Sequence, residues 1–107
     1  GIELMQIQKM LKQAQKLQAD MAKLQGELAQ KTLETTAGGG AIKVTANGAG
    51  RIVAIKIDPA VLQAQDVGML EDLVLTASNE ALDAVRKMND EQMGKLTGGM
   101  NIPGFSF

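Results

Sequence analysis

The stretch GGGAIKVTANGAGRIVAIKIDP, residues 38–59, decides the fold because it contains two runs of alternating apolar side chains between turn residues. The apolar positions on one side of the two runs are Ile42, Val44 and Ala46, followed by Val53, Ile55 and Ile57. Such alternation predicts two strands, at residues 41–47 and 51–57. The intervening Asn47-Gly48 pair predicts a two-residue hairpin turn, because both residues tolerate a positive φ. The two strands are therefore expected to be antiparallel neighbours.

A further strand is predicted just upstream. Residues 32–37, TLETTA, are rich in β-branched side chains, which favour extended backbone. The three glycines at positions 38–40 supply the backbone freedom for the turn into the next strand. The sequence thus predicts a three-stranded antiparallel meander with one face against helices.

Long amphipathic helices are predicted on both sides of this meander. The first carries apolar residues at alternating spacings of three and four, namely Ile7, Met10, Ala14, Leu17, Met21, Leu24 and Leu28. The second helix is expected to begin after the cap residue Asp66 and to end at Thr97-Gly98-Gly99. Its apolar residues repeat the same spacing at Val67, Leu70, Val74, Ala77, Ala81, Ala84 and Met88, and Leu73, Leu82 and Val85 widen this apolar face. Both patterns indicate one apolar face along a helix. A first helix of roughly 30 residues would be about 45 Å long.

The predicted fold is α+β in the order α-β-β-β-α. Residues 1–99 are expected to form one domain, and residues 100–107 a flexible C-terminal tail that contains both phenylalanines of the chain. Three short strands cannot cover two long apolar stripes, so a second copy of the chain is the simplest cover. We therefore expect an obligate two-fold homodimer with protruding helical arms.

Composition excludes several classes of function. The 107 residues include no Cys, His, Trp or Tyr, which removes disulfides, thiolate nucleophiles, zinc-finger ligands and the usual general base. No set of acidic residues has the spacing of a metal site. No apolar run is long enough to span a membrane. The sequence therefore predicts a soluble, intracellular protein without membrane association, catalytic residues, metal or cofactor.

Charge is distributed unevenly although the net charge is −1. Residues 1–57 contain eight basic and four acidic side chains, whereas residues 58–107 contain three basic and eight acidic ones. On the first helix, Lys9, Lys12 and Lys16 recur at i, i+3 and i+7, and Lys23 continues the row one heptad later. This lysine ridge is a candidate contact for a polyanion. A row of solvated lysines is the more ordinary interpretation.

The remaining basic residues give weaker indications. Alternation places Lys43 and Lys56 on the polar side of the sheet, where they keep that face soluble. Arg86 and Lys87 near the end of the second helix are typical of surface charges that compensate the helix dipole. Any nucleic acid bound would be duplex DNA held through its phosphates, because the only aromatic residues are Phe105 and Phe107 in the tail.

Four segments in this order resemble the YbaB/EbfC family of bacterial nucleoid-associated proteins. They are LKQAQKLQADMAKLQ (residues 11–25), GGGAIKVTANGAGRIVAIKIDP (38–59), MLEDLVLTASNEALDAVRKMNDEQMGKL (69–96) and NIPGF (101–105). The most specific pieces are VTANG, IDP and MLEDLV, followed by Asn79. The resemblance covers almost the whole chain.

The resemblance implies a dimer shaped like tweezers, located in the cytoplasm and nucleoid, that binds double-stranded DNA, organises the nucleoid and influences gene expression. DNA binding by helical arms maps here onto Lys9, Lys12, Lys16, Lys23, Arg86, Lys87 and Lys95. DNA-recombination or repair proteins are further partners that it suggests. The alternative hypothesis is a dimeric helical interaction module that docks a DNA-processing partner without binding DNA itself.

Overall fold

The structure, a computed structural model, describes residues 1–98. Its helices are α1 (Ile2–Ala29), α2 (Pro59–Gln63) and α3 (Val67–Leu96), and its strands are β1 (Thr32–Ala37), β2 (Ile42–Asn47) and β3 (Ile52–Ile57). The predicted α+β fold, with an antiparallel meander between two long helices, is confirmed. The predicted tail, residues 100–107, lies outside the described residues.

The short helix α2 was not predicted. Pro59 at the start of α2 has the φ that a helix requires, and the Asp58 side chain accepts a hydrogen bond from the Ala60 backbone N–H at 3.0 Å. The cap predicted for the next helix is confirmed, because Asp66 Oδ1 accepts from the Met69 backbone N–H at 2.9 Å. Two helices with a side-chain cap therefore begin in this region, whereas the sequence predicted one.

The hydrophobic core lies between the sheet and α3. The strands are ordered β1-β2-β3, and all neighbours are antiparallel. The buried residues of this core come from the central strand and from one line along α3, namely Ile42, Val44, Ala46, Ala77, Ala81 and Val85. The small side chains of Ala77 and Ala81 let α3 approach closely, and the Thr35 hydroxyl donates to the Ala77 carbonyl oxygen at 2.6 Å.

The pairing of β3 differs from the prediction. A bulge near Thr45 and Ala46 makes Ile52 the partner of Ala46, so Ile52 shares the helix-facing side of the sheet with Ile55 and Ile57. Val53 itself has no partner in β2, because the bulge adds one residue to β3 at this point.

The two predicted turns have different outcomes. Gly38, Gly39 and Gly40 all have positive φ, as the glycine turn requires. The β2–β3 turn is longer than the two residues predicted, and its positive φ of 81° is at Gly50 rather than at the Asn47-Gly48 pair. The Asn47 side chain instead organises the turn, because its Oδ1 accepts from the N–H groups of Ala49 and Arg51 at 3.0 and 3.1 Å.

The molecule is elongated because α1 extends far beyond the sheet. Leu28 is buried, and Leu17, Met21 and Leu24 are half-buried, whereas every residue from 1 to 16 is exposed. The described protein measures 77 × 23 × 16 Å, with a radius of gyration of 20.6 Å. A compact chain of this length would have a radius near 13 Å. The exposed part of α1, residues 2–16, is called the arm below.

Candidate nucleic-acid interface

The arm presents the first three lysines of the ridge on its surface. Lys9, Lys12 and Lys16 are all exposed. Their spacing keeps them on one side of the helix, and about 10 Å of helix axis separates the first from the last. Between residues 4 and 19 the chain contains no acidic residue, so no carboxylate lies next to these three lysines along the helix.

Lys23 lies where α1 meets the end of α3. Its neighbours around a shallow surface depression are Asp20, Leu24, Glu27 and Leu96. Lys23 is exposed, but the two carboxylates on the same helix reduce the local positive potential. The ridge therefore divides into an unneutralised part on the arm and a single lysine in a mixed environment.

The basic residues of α3 are separate from the arm. Arg86 forms an ion pair with Asp83 at 3.4 Å, with about 70% of both side chains exposed, and it lies beside the β2–β3 turn. This is the only ion pair between residues 1 and 98. Lys87 is exposed on the next position, and Lys95 is exposed in the last turn of α3. The seven predicted residues are thus three lysines on the arm, Lys23 where α1 meets the end of α3, and three dispersed residues on α3.

A junction that the sequence analysis missed holds α1 against the body of the protein. The Gly48 N–H donates to the Lys31 carbonyl oxygen at 2.9 Å, and the Asn89 side-chain amide donates to the Gly48 carbonyl oxygen at 2.9 Å. Leu28 is buried beside them. The sequence signal for this junction is Asn89, a polar residue four positions from both Val85 and Met93 on the same face of α3. Both of these neighbours are buried.

A second feature that the sequence did not predict is an uncovered apolar surface. All six residues of β3 are exposed, because α3 packs over β1 and β2 and hardly touches β3. Ile57 lines an open apolar groove together with Leu70, Val74 and Leu75 of α3, and Glu71 and Ser78 complete its rim. The outer backbone edge of β3 pairs with no other strand among residues 1–98. The predicted alternation indicated an apolar face here but not that it is left open.

The described part of the chain contains neither a cluster of metal ligands nor a membrane-spanning helix. No group of three or more acidic side chains between residues 1 and 98 is arranged to hold a metal ion. None of the helices found there is long and apolar enough to cross a bilayer.

The fold and the lysine-bearing arm define a small, elongated α+β protein with an exposed basic helix. The model of the YbaB/EbfC DNA-binding family matches residues 4–100, and the chain belongs to this family. A nucleoid-associated protein of Pelotomaculum thermopropionicum is 53% identical over 96 residues, which are 90% of this chain and 91% of the relative. One from Desulforamulus reducens is 54% identical over 96 residues, with the same coverage of both chains.

A solved structure supports the fold. The crystal structure of an uncharacterized protein from Helicobacter pylori superposes with a TM-score of 0.75 at 20% sequence identity. The match covers 83% of this chain and 94% of the other. At this identity the likeness concerns the fold alone.

Proposed function

We propose that this protein binds double-stranded DNA as a two-fold dimer and organises the nucleoid, with the arm lysines contacting phosphates. The observation that carries the proposal is the arm itself, on which Lys9, Lys12 and Lys16 project from the body of the protein without a neighbouring acid. Membership of a DNA-binding family and relatives named nucleoid-associated proteins support it. Cytoplasmic location at the nucleoid and an influence on gene expression are part of the same proposal.

Phosphate contact suits these side chains better than base recognition. A lysine ammonium is a compact point charge that neutralises a phosphate and releases its counterions. Duplex DNA carries about one negative charge per 1.7 Å of its axis, so three lysines over about 10 Å of helix all find phosphates within reach. Residues 1–98 contain no aromatic side chain for stacking on bases. We therefore expect strong salt dependence and little sequence preference.

A second copy of the chain is the proposed cover for β3. The apolar side chains Ile52, Ile55 and Ile57 are 38–46% exposed, and Leu75 across the groove is 60% exposed. An open apolar edge strand promotes association with another chain, and a two-fold dimer closes both copies with one interface. The dimer would carry two arms and thus two sets of lysines.

The proposed activity is binding without catalysis. The chain contains no His or Cys, and the acidic residues between positions 1 and 98 gather at no metal site. Arg86, Lys87 and Lys95 are secondary contacts in this proposal, because Arg86 is already paired with Asp83. Lys23 extends the arm contact toward the body of the protein. DNA-recombination or repair proteins are further proposed partners.

The test compares two variants with the same change in charge. In the ridge variant Lys9, Lys12 and Lys16 become Gln; in the control, Lys31, Lys43 and Lys56, which are exposed and outside the arm, become Gln. Fluorescence anisotropy measures binding to a labelled duplex of about two helical turns, roughly 21 bp, across a salt series. The ridge variant should lose about one to two orders of magnitude in affinity, and its log-log salt slope should flatten by up to about 5 per dimer.

The control variant should keep most of its affinity. An equal loss in both variants would mean that overall charge rather than the arm determines binding. Absence of binding by the unchanged protein at low salt would overturn the proposal and favour the interaction module that docks a DNA-processing partner.

A further inference from the structure

The arm has an apolar side that nothing among residues 1–98 covers. Its large side chains are 52–66% exposed and belong to Leu4, Ile7, Met10 and Leu11. Ala14, on the same side of the helix, is exposed as well. Single exposed apolar residues are ordinary, but a contiguous row of large ones on a helix indicates a contact surface. These five residues are called the arm stripe below.

The arm stripe lies on the opposite side of α1 from the lysines. On a helix of 3.6 residues per turn, its centre is roughly half a turn away from the centre of Lys9, Lys12 and Lys16. The positions along the two flanks of the stripe carry only uncharged amides, namely Gln6, Gln8, Gln13 and Gln15. DNA held by the lysines would therefore leave the stripe free, and another arm could approach the stripe without meeting a lysine.

The apolar row has the spacing of a coiled-coil seam. Alternating steps of three and four residues join Ile7, Met10, Ala14 and Leu17. The same row continues to Leu28, which is buried where α1 packs on α3. A seam of this kind fits a second helix with the same repeat, because side chains of each helix enter the spaces between those of the other. The arm of a second copy supplies such a helix.

The order of side chains favours an antiparallel pair of arms. In such a pair centred near residue 12, Met10 faces Ala14 of the second arm, and Ile7 faces Leu17. A large side chain then meets a small one on both sides of the centre, which fills the space between the helices. A parallel pair would set Ala14 against Ala14 and leave a gap.

We propose that, on DNA, the arms of two different dimers pair antiparallel through their arm stripes. An antiparallel pair places the two protein bodies at opposite ends of the arms, so these chains are not the two that share β3. The lysines of the paired arms point away from each other, and each set contacts a separate duplex. The pair therefore joins two duplexes, an inference that rests on the proposed function because it needs DNA on the lysine side.

The contact between two arms is too small to hold free protein together. A large apolar side chain buries at most about 100 Å², so the four on each arm bury no more than about 800 Å² in a pair. Stable interfaces bury about 1,200 Å² or more. DNA compensates for the small area, because it holds many arms at a high local concentration. Free protein should therefore remain dimeric, and the arms should pair when DNA is present.

A two-duplex capture assay with purified protein tests the pairing. One duplex of about 21 bp is fixed to beads, and a fluorescent duplex of the same length is retained only if protein joins the two. The stripe variant combines Ile7→Gln with Met10→Gln. Its control combines Ile2→Gln with Met5→Gln, which changes the same two residue types on the lysine side of the same helix. Fluorescence anisotropy measures the affinity of each protein for a single duplex.

The stripe variant should retain at least about tenfold less fluorescent duplex than the unchanged protein, because it loses the apolar contact. Its affinity for a single duplex should stay within about twofold, since no lysine is changed. The control should match the unchanged protein in both assays. Equal capture by the two variants would overturn the arm pairing and leave the proposed function standing. Absence of binding to a single duplex by the unchanged protein would overturn both.

A charge exchange at Gln13 tests whether the partner is a second copy. In the antiparallel pair, Gln13 lies beside the two-fold axis and faces Gln13 of the other arm. Gln13→Glu alone and Gln13→Lys alone should each capture less duplex than their 1:1 mixture at concentrations that saturate a single duplex. Only the mixture brings opposite charges together across the axis. A mixture that captures no more than the better single variant would overturn the antiparallel pairing.

Discussion

At the scale of single residues, Gly48 has the most constrained position in the chain. A Cβ at this site would overlap the carbonyl oxygen of Leu28, which belongs to the backbone of α1 and cannot move without shifting the helix. The Gly48 carbonyl oxygen also accepts the bond from Asn89. Three elements thus meet at one residue, and this contact sets where α1 leaves the body of the protein.

Gly48→Ala should therefore lower the free energy of unfolding by about 2 to 3 kcal/mol, because the added methyl group forces the α1 backbone away. Gly26→Ala is the control, since its Cβ would meet no atom within 4 Å. Replacing a glycine inside a helix with Ala should raise the free energy of unfolding by about 0.5 to 1 kcal/mol. Chemical denaturation at one protein concentration measures both, and similar effects of the two variants would contradict this account of the junction.

At the scale of secondary-structure elements, β3 has a different environment from the other strands. β2 is central and contributes three buried side chains, whereas all of β3 is exposed. The cause is the line that α3 takes across β1 and β2, which leaves β3 uncovered. An element whose apolar side is open in one chain is the natural place for a second copy to bind.

Ile55→Lys should raise the dissociation constant of the proposed dimer by at least tenfold, because about 1.4 kcal/mol suffices for that factor and a lysine in an apolar interface costs more. Lys56→Ala is the control, since Lys56 is the next residue of the strand and lies on the other side of the sheet. Sedimentation over a concentration series measures both variants. An Ile55→Lys protein that dimerises normally would exclude this face of β3 as the interface.

At the scale of the whole molecule, the projecting arm determines the shape. The radius of gyration of one chain, 20.6 Å, arises because residues 2–16 extend from the packed body. A pair of such chains has a radius larger than that of either chain, since the separation of their centres adds to it. A compact particle made of two 107-residue chains would have a radius of about 17 Å.

Small-angle X-ray scattering of the proposed dimer should therefore give a radius of gyration above 20.6 Å. Scattering from the Gly26→Ala protein should match it, because that change stiffens α1 without redirecting it. A dimer radius near 17 Å would show that the arms fold back onto the body in solution.

The sequence by itself determined which segments become helices and strands. The three-four spacing from Ile7 to Leu28, the alternation in residues 41–47 and the Asp66 cap are local patterns, because backbone preferences and side-chain periodicity act over a few residues. They also indicated the lysine ridge, since residues at i, i+3 and i+7 share a helix face wherever the helix lies. The contact of these lysines with DNA stays a prediction.

Only the tertiary structure decided what covers each apolar face. The apolar stripes of α1 and α3 are equally regular in sequence, but the one on α1 is only partly covered. Leu28 is buried where α3 packs against it, whereas Met10 is exposed because α3 ends before it reaches this part of α1. The bulge that leaves Val53 without a partner depends on the pairing of β3 with β2, and the Gly48–Asn89 bond joins residues 41 positions apart. Such contacts depend on relative lengths and directions of elements distant in sequence, which no local pattern encodes.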